Sequence, residues 1–304
     1  MNNKKKEEKF IQDTSMQQQF YKKKKPLREI LHRLFLNKMA VVGLCILLFF
    51  VLLAIFADVL FDYDTKVIAQ NIGNMFSPPS REHWCGTDEL GRDILARIVH
   101  GTRVSLEVGI VAVTFSMLIG VPLGAIAGYY GGRIGEVIMR GSDILSALPS
   151  ILLALTIVTA LGQSMINMMI AVGISAIPGY IRIVRASVMT VKDQEYIEAA
   201  RAIGDNDFII IFKHVLENCL GPLIVQATLR VATAIQSIAS LSFLGLGIKP
   251  PTPEWGLMLS SGRDYLRDAP WLTIFPGIAI MLVVLSLNLL GDGLRDALDP
   301  KLKK

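Results

Sequence analysis

Charge is what this 304-residue sequence lacks over most of its length. Asp, Glu, Lys and Arg make up 19% of it, against about a quarter in an average soluble domain. The deficit is uneven, because charges gather in the two tails and a few loops and leave long stretches with none. Such stretches exclude a disordered chain and argue against one water-soluble globule. Cysteine is scarce too: Cys45, Cys85 and Cys219 are too few and too scattered for a disulfide framework. There is no His-Glu-x-x-His, no paired Cys-x-x-Cys and no Gly-x-x-x-x-Gly-Lys phosphate loop. The chain is therefore expected to be no enzyme, to hold no metal and to bind no ATP itself. Its net charge of +5 is not gathered on a folded polar domain, which speaks against a nucleic-acid binder.

What is present is a series of apolar runs. Residues 39–57, 108–132, 144–181 and 269–291 contain no charged side chain, and 218–248 contains only Arg230. A helix needs about 20 apolar residues to cross a hydrocarbon core of about 30 Å. The run 144–181 is about twice that length and breaks at Gly162-Gln163-Ser164, so it reads as a hairpin of two spans. The others read as one span each. The result is an all-α polytopic membrane protein with six transmembrane helices. A signal peptide at 39–57 is disfavoured by its length, its distance from Met1 and the lack of a small-residue cleavage pattern. Lys and Arg concentrate before Met39, after span two, in 182–218 and at the C-terminal end. The positive-inside rule makes those segments, and both termini, cytoplasmic. The tail 1–26, with Lys22–Lys25, reads as a topology-setting flank that can touch anionic lipid. Residues 27–36 read as a short amphipathic surface helix.

Span two carries Gly120, Gly124 and Gly128 on one helix face, where another backbone can approach closely. Pro122 interrupts its hydrogen-bond ladder. No span interior holds a carboxylate, whereas ion-driven carriers usually place ionisable groups there. Energy is therefore expected to enter from outside the bilayer. Arg230 is the exception, about 16 Å into span five by helical rise. It reads either as a contact for an anionic substrate group or as a structural cation paired with backbone carbonyls. On the outer side, Ile94, Leu95, Ile98 and Val99 suggest a separate amphipathic helix on the membrane surface. Residues 248–270 suggest a partly re-entrant cap. His83 and Cys85 are close in sequence, but two ligands fall short of a metal site.

The segment 191–217 is the most informative. Asp193 is placed to cap a helix over 194–203, Gly204 to end it, and Asp205 or Asn206 to cap the next. This is a protruding elbow that returns to the bilayer. Glu198-Ala199-Ala200-Arg201 followed by Gly204 resembles the EAA signature of membrane subunits of binding-protein-dependent ABC importers. Gly86–Asp93, Gly101–Leu106, Ala239–Gly247 and Gly291–Pro300 resemble the peptide/nickel branch in the same order. The chain departs from that pattern at His214 and Glu217, where the signature has Ile and Pro, at Ile238, and at Arg230, where a small residue is usual.

The resemblance implies an ABC importer type I permease fold in the bacterial cytoplasmic membrane. It implies that Glu198, Ala199, Ala200, Arg201 and Gly204 couple to a cytoplasmic ATPase. The implied partners are a second, similar permease chain, two ATPase subunits that bind ATP and Mg, and an extracytoplasmic substrate-binding protein. The implied substrates are short peptides, with nickel or a nickel chelate as the alternative; outside the resemblance, the rival reading is an ion-coupled secondary carrier needing no ATPase. The chain then divides into a basic tail at 1–38 and a first span with an outer segment at 39–101. A five-helix core at 102–292 and a tail at 293–304 follow.

Overall fold

The computed structural model describes residues 26–298. The tail before Pro26, including Lys22–Lys25, and residues 299–304 lie outside the described residues. Helix α1 spans Pro26–Leu36 and α2 spans Lys38–Ile55. They meet at Asn37, whose side chain accepts from the backbone N–H groups of Met39 and Ala40 and so caps α2. Leu34 of α1 packs against Ala40 and against Ala297 near the other end of the chain.

Helix α3, Ile94–Tyr130, is a single helix of 37 residues, about 55 Å long. Asp93 caps it by accepting from the Ala96 N–H. The separate surface helix expected at 94–99 is instead the start of α3. The reason is chemical. Arg97 and His100 would need water on a lone surface helix, yet both are buried with partners. Arg97 Nη1 donates to Val67 O at 3.1 Å, Arg97 Nε lies 3.5 Å from Asp88, and His100 Nε2 donates to Phe61 O at 2.8 Å. The helix therefore runs through the boundary drawn at 101/102, and it continues through Pro122.

Helix α4, Gly132–Ser146, is followed by α5, Ser150–Leu161, at an angle of 81°. Helix α6 covers Met165–Val191. The turn between α5 and α6 falls at 162–164, as the sequence suggests, with Gly162 at φ 90° and Ser164 capping α6 through Asn167 N. The first arm of the hairpin is not a straight span. At 12 residues α5 rises only about 18 Å, and the chain turns at 147–149, where Pro149 has no N–H to continue a helix. Five described helices are long and apolar enough to cross a membrane, and the sixth crossing requires the bent pair. Asp143 and Arg182, the charges flanking the apolar run, bond at 3.2 Å and close the hairpin base.

Helix α7 is Glu195–Ala202. Helix α8, Leu220–Leu241, continues into a wider helical turn at Ser242–Leu246, with Gly245 at φ 82°. Helix α9 is Trp255–Gly262. Helix α10, Trp271–Leu298, runs through the boundary drawn at 292/293.

Two seams hold the bundle together. In the first, α3 lies on α6 through Gly120, Gly124 and Gly128. A Cβ added at these positions would lie 2.7 Å from Tyr180 Cβ, 2.7 Å from Ile181 O and 2.8 Å from Val188 Cβ, respectively. In the second, Gly43 of α2 meets Ser286 O and Leu289 of α10. One face of the bundle carries α1, α7 and the C-terminal end of α10, and is called the terminal face below. The loop face carries 56–93, the 162–164 turn and α9. There Trp255 is fully buried and its indole donates to Ile98 O at 3.1 Å. Gln163 Nε2 donates to Gly245 O at 2.9 Å, tying the hairpin turn to the end of α8.

Candidate functional site

The elbow on the terminal face begins with α7. Gln194 is the N-cap residue and makes no side-chain cap bond, so the cap expected from Asp193 does not form. Two acidic residues, Glu195 and Glu198, stand in the first turn, where the helix dipole favours negative charge. The far end closes with two backbone bonds: Gly204 N donates to Arg201 O at 3.1 Å, and Asp205 N donates to Ala200 O at 3.1 Å. That pair, with Gly204 at φ +91°, is a Schellman stop. Asn206 then caps the returning segment by accepting from Ile209 N. His214 lies 3.1 Å from Asp205, so the chain's departure from the signature at His214 closes the elbow on itself.

Exposure separates the residues singled out from sequence. Glu198, Ala199, Arg201 and Gly204 are exposed, whereas Ala200 is buried beside a fully buried Ile197. Of the Ala pair only Ala199 therefore faces outward, while Ala200 anchors the elbow to the core. Sequence reasoning missed the apolar tip. Ile203 is 80% exposed and Phe208 69% exposed, on either side of Gly204. Their signal was available as two large apolar residues flanking a turn glycine in a charged loop. Arg201 is held above its ordinary basicity, first by its bond to the Tyr129 hydroxyl.

The sequence matches two known domains. Residues 120–304 match the binding-protein-dependent transport system inner membrane component, and residues 25–79 match the N-terminal transmembrane domain of oligopeptide transport permease C. A dipeptide transport system permease protein of Alkalihalophilus pseudofirmus is 51% identical, over 91% of each chain. A glutathione transport system permease protein of Pectobacterium atrosepticum is 45% identical, over 92% of this chain and 93% of that one. The chain belongs to the binding-protein-dependent transport permease family. It is thus a multi-pass inner-membrane permease. The fold agrees: an inward-facing structure of the MetNI methionine ABC transporter superimposes with a TM-score of 0.56 at 20% identity, over 68% of this chain and 98% of that one.

In this permease Arg230 lies on α8, with its guanidinium against Gly179 of α6, so close that an added Cβ there would collide with Nη2. Arg230 Nε and the neighbouring Tyr180 hydroxyl are both buried without a hydrogen-bond partner among the described residues. Ile238 is a buried core residue.

His83 and Cys85 lie in the loop-face segment before α3. His83 Nδ1 lies 2.8 Å from Asp93. Burial, and then the Asp93 charge, pushes the Cys85 thiol up to about 11. Among the described residues no three His, Cys, Asp or Glu side chains are placed to hold a metal ion.

Proposed function

We propose that this permease imports short peptides, driven by ATP hydrolysed on separate subunits. The observation that carries the reading is the 51% identity, over 91% of each chain, with a dipeptide permease. The elbow supports the coupling half of it: a rigid, capped projection presents Glu198, Ala199, Arg201 and Gly204 outward, with Ile203 and Phe208 as apolar anchors. The terminal face is then cytoplasmic, as the Lys and Arg distribution requires, and both termini lie there. Two ATPase subunits bind ATP and Mg and dock at the elbow. A second permease chain completes the path, and a binding protein delivers substrate to the loop face. In this reading nucleotide closure on the ATPases moves the elbow, and the spans alternate between outward and inward openings.

Arg230 is proposed as the contact for a peptide carboxylate. A half-buried arginine whose buried Nε–H has no partner among the described residues suits an anionic group, because a buried donor left unmatched is unfavourable until paired.

The test is uptake of labelled dipeptides and labelled nickel, side by side, in a deletion strain and after restoration of the gene. Peptide uptake lost and restored supports the reading; nickel uptake lost and restored replaces the substrate. Uptake that survives Gly204→Pro but collapses with a protonophore points to an ion-coupled carrier. Arg230→Gln with unchanged uptake and unchanged substrate preference removes Arg230 from the path.

A further inference from the structure

The elbow is fastened to α3 by more than apolar packing. Asp207, the first residue after the Asn206 cap, accepts two hydrogen bonds. Tyr129 Oη donates to its Oδ1 at 2.8 Å and Tyr130 Oη to its Oδ2 at 3.0 Å. Both carboxylate oxygens are thus engaged by consecutive residues at the end of α3. Arg201, in the last turn of α7, lies over the Tyr129 ring at 5.2 Å and places its Nε 3.4 Å from the same hydroxyl. The two tyrosine rings meet edge to face at 5.2 Å. The elbow is therefore held on both sides of Gly204, by Arg201 before the turn and Asp207 after it.

The opposite end of α3 is fastened as firmly. Trp255 of α9 donates to Ile98 O, and Gly101 lies against the Trp255 indole. One unbroken helix of 37 residues thus joins the elbow to the cap on the loop face. A helix is stiff along its axis, so a displacement at Asp207 is carried along α3 toward Ile98, past the one missing backbone donor at Pro122.

We infer that Tyr129, Tyr130 and Asp207 form a clasp that positions the elbow on α3, so that substrate delivery at the loop face and ATP hydrolysis on the subunits docked at the elbow proceed in step. These are positioning residues, acting through α3 rather than touching substrate or nucleotide. The inference rests on the ATP-driven reading above. The competing account is that the buried Ile197, Ile210 and Val215 hold the elbow unaided and the hydroxyls are incidental.

The experiment uses the whole transporter in proteoliposomes and counts ATP hydrolysed per dipeptide imported, with subunit assembly checked by co-purification. Tyr129→Phe with Tyr130→Phe keeps both rings and removes both donors. The expected result is a fully assembled complex in which ATP consumed per dipeptide rises about fivefold or more, the lower end of ordinary coupling free energies. Asp207→Asn, which retains one carbonyl acceptor, is expected to fall between that and the parent. An unchanged ratio in the assembled double variant overturns the clasp and favours apolar packing alone. Loss of assembly in the double variant also overturns it, because the hydroxyls would then be structural. If the parent complex imports dipeptide with no ATP requirement, the ATP-driven reading itself fails, and that outcome is visible before any variant is made.

Discussion

Gly124 and Gly141 offer a test of the α3–α6 seam in which the same substitution carries opposite signs. A Cβ at Gly124 would sit 2.7 Å from Ile181 O and 2.8 Å from Val184 Cβ, well inside carbon–carbon contact of about 3.5–4.0 Å. Relief requires the helices to part by close to 1 Å. They cannot part there alone, because Gly120 and Gly128 hold the turns on either side at the same closeness. Adding a methyl to a filled interior costs about 1–3 kcal/mol. The better helix propensity of Ala returns about 1 kcal/mol, so Gly124→Ala should lose a net ~1 kcal/mol. Gly141 lies in α4 with nothing within 4 Å of an added Cβ and no positive φ. Gly141→Ala should therefore gain about 1 kcal/mol from propensity alone. The two variants should differ by about 2 kcal/mol, or roughly 30-fold in the unfolding constant. Equilibrium unfolding in mixed micelles with rising dodecyl sulfate measures this difference. Gly124→Ala as stable as Gly141→Ala would refute the reasoning.

Three further outcomes are expected. Gly204→Val forces a β-branched residue to φ +91°, at about 1–3 kcal/mol. The Schellman stop should fail and uptake should fall while the amount of protein in the membrane holds, as membrane fractionation would show. Trp255→Ala should destabilise by about 3–5 kcal/mol in the same titration, and Trp255→Phe by less, since it mainly removes the bond to Ile98 O, about 1 kcal/mol. Cys85 should alkylate slowly at pH 8, with a rate that rises about tenfold per pH unit towards its pKa of about 11. Because folding raises that thiol above 9.0, its protonated form favours the folded state, and this contribution is lost as pH climbs from about 9 to about 11.

The spans were legible because lipid leaves charge nowhere to go. The ends of the apolar run 144–181 are the bonded pair Asp143 and Arg182, and its internal break is the Gly162–Ser164 turn. Glycine spacing on α3 likewise carried its packing face. The elbow was legible through Gly204, whose positive φ the sequence position already implied. What escaped was set by tertiary partners. The start of α3 looked amphipathic because Arg97 and His100 are polar, yet Val67 O and Phe61 O satisfy them, so they extend a buried helix instead of facing water. The bend at 147–149 escaped because apolar composition is the same on a straight and a bent path. Asp193 was well placed to cap α7, but helix choice over one residue is too fine for sequence alone. The tyrosine clasp joins residues 77 and 78 positions apart, beyond any local pattern.

The hairpin also bears on how the chain is made. Helix α5, at 12 residues, is too short to be held by a bilayer core of about 30 Å on its own. Its terminal carbonyls are satisfied from beyond the turn, where Asn167 Nδ2 donates to Leu161 O and Gly162 O at 2.9 Å each. Across the base of the hairpin, Arg182 of α6 bonds Asp143 of α4 at 3.2 Å. These partners lie on α6, so α5 is expected to settle in lipid only after most of α6 has been made, which insertion of chains truncated within α6 would test. On that expectation the two arms enter the bilayer as one unit.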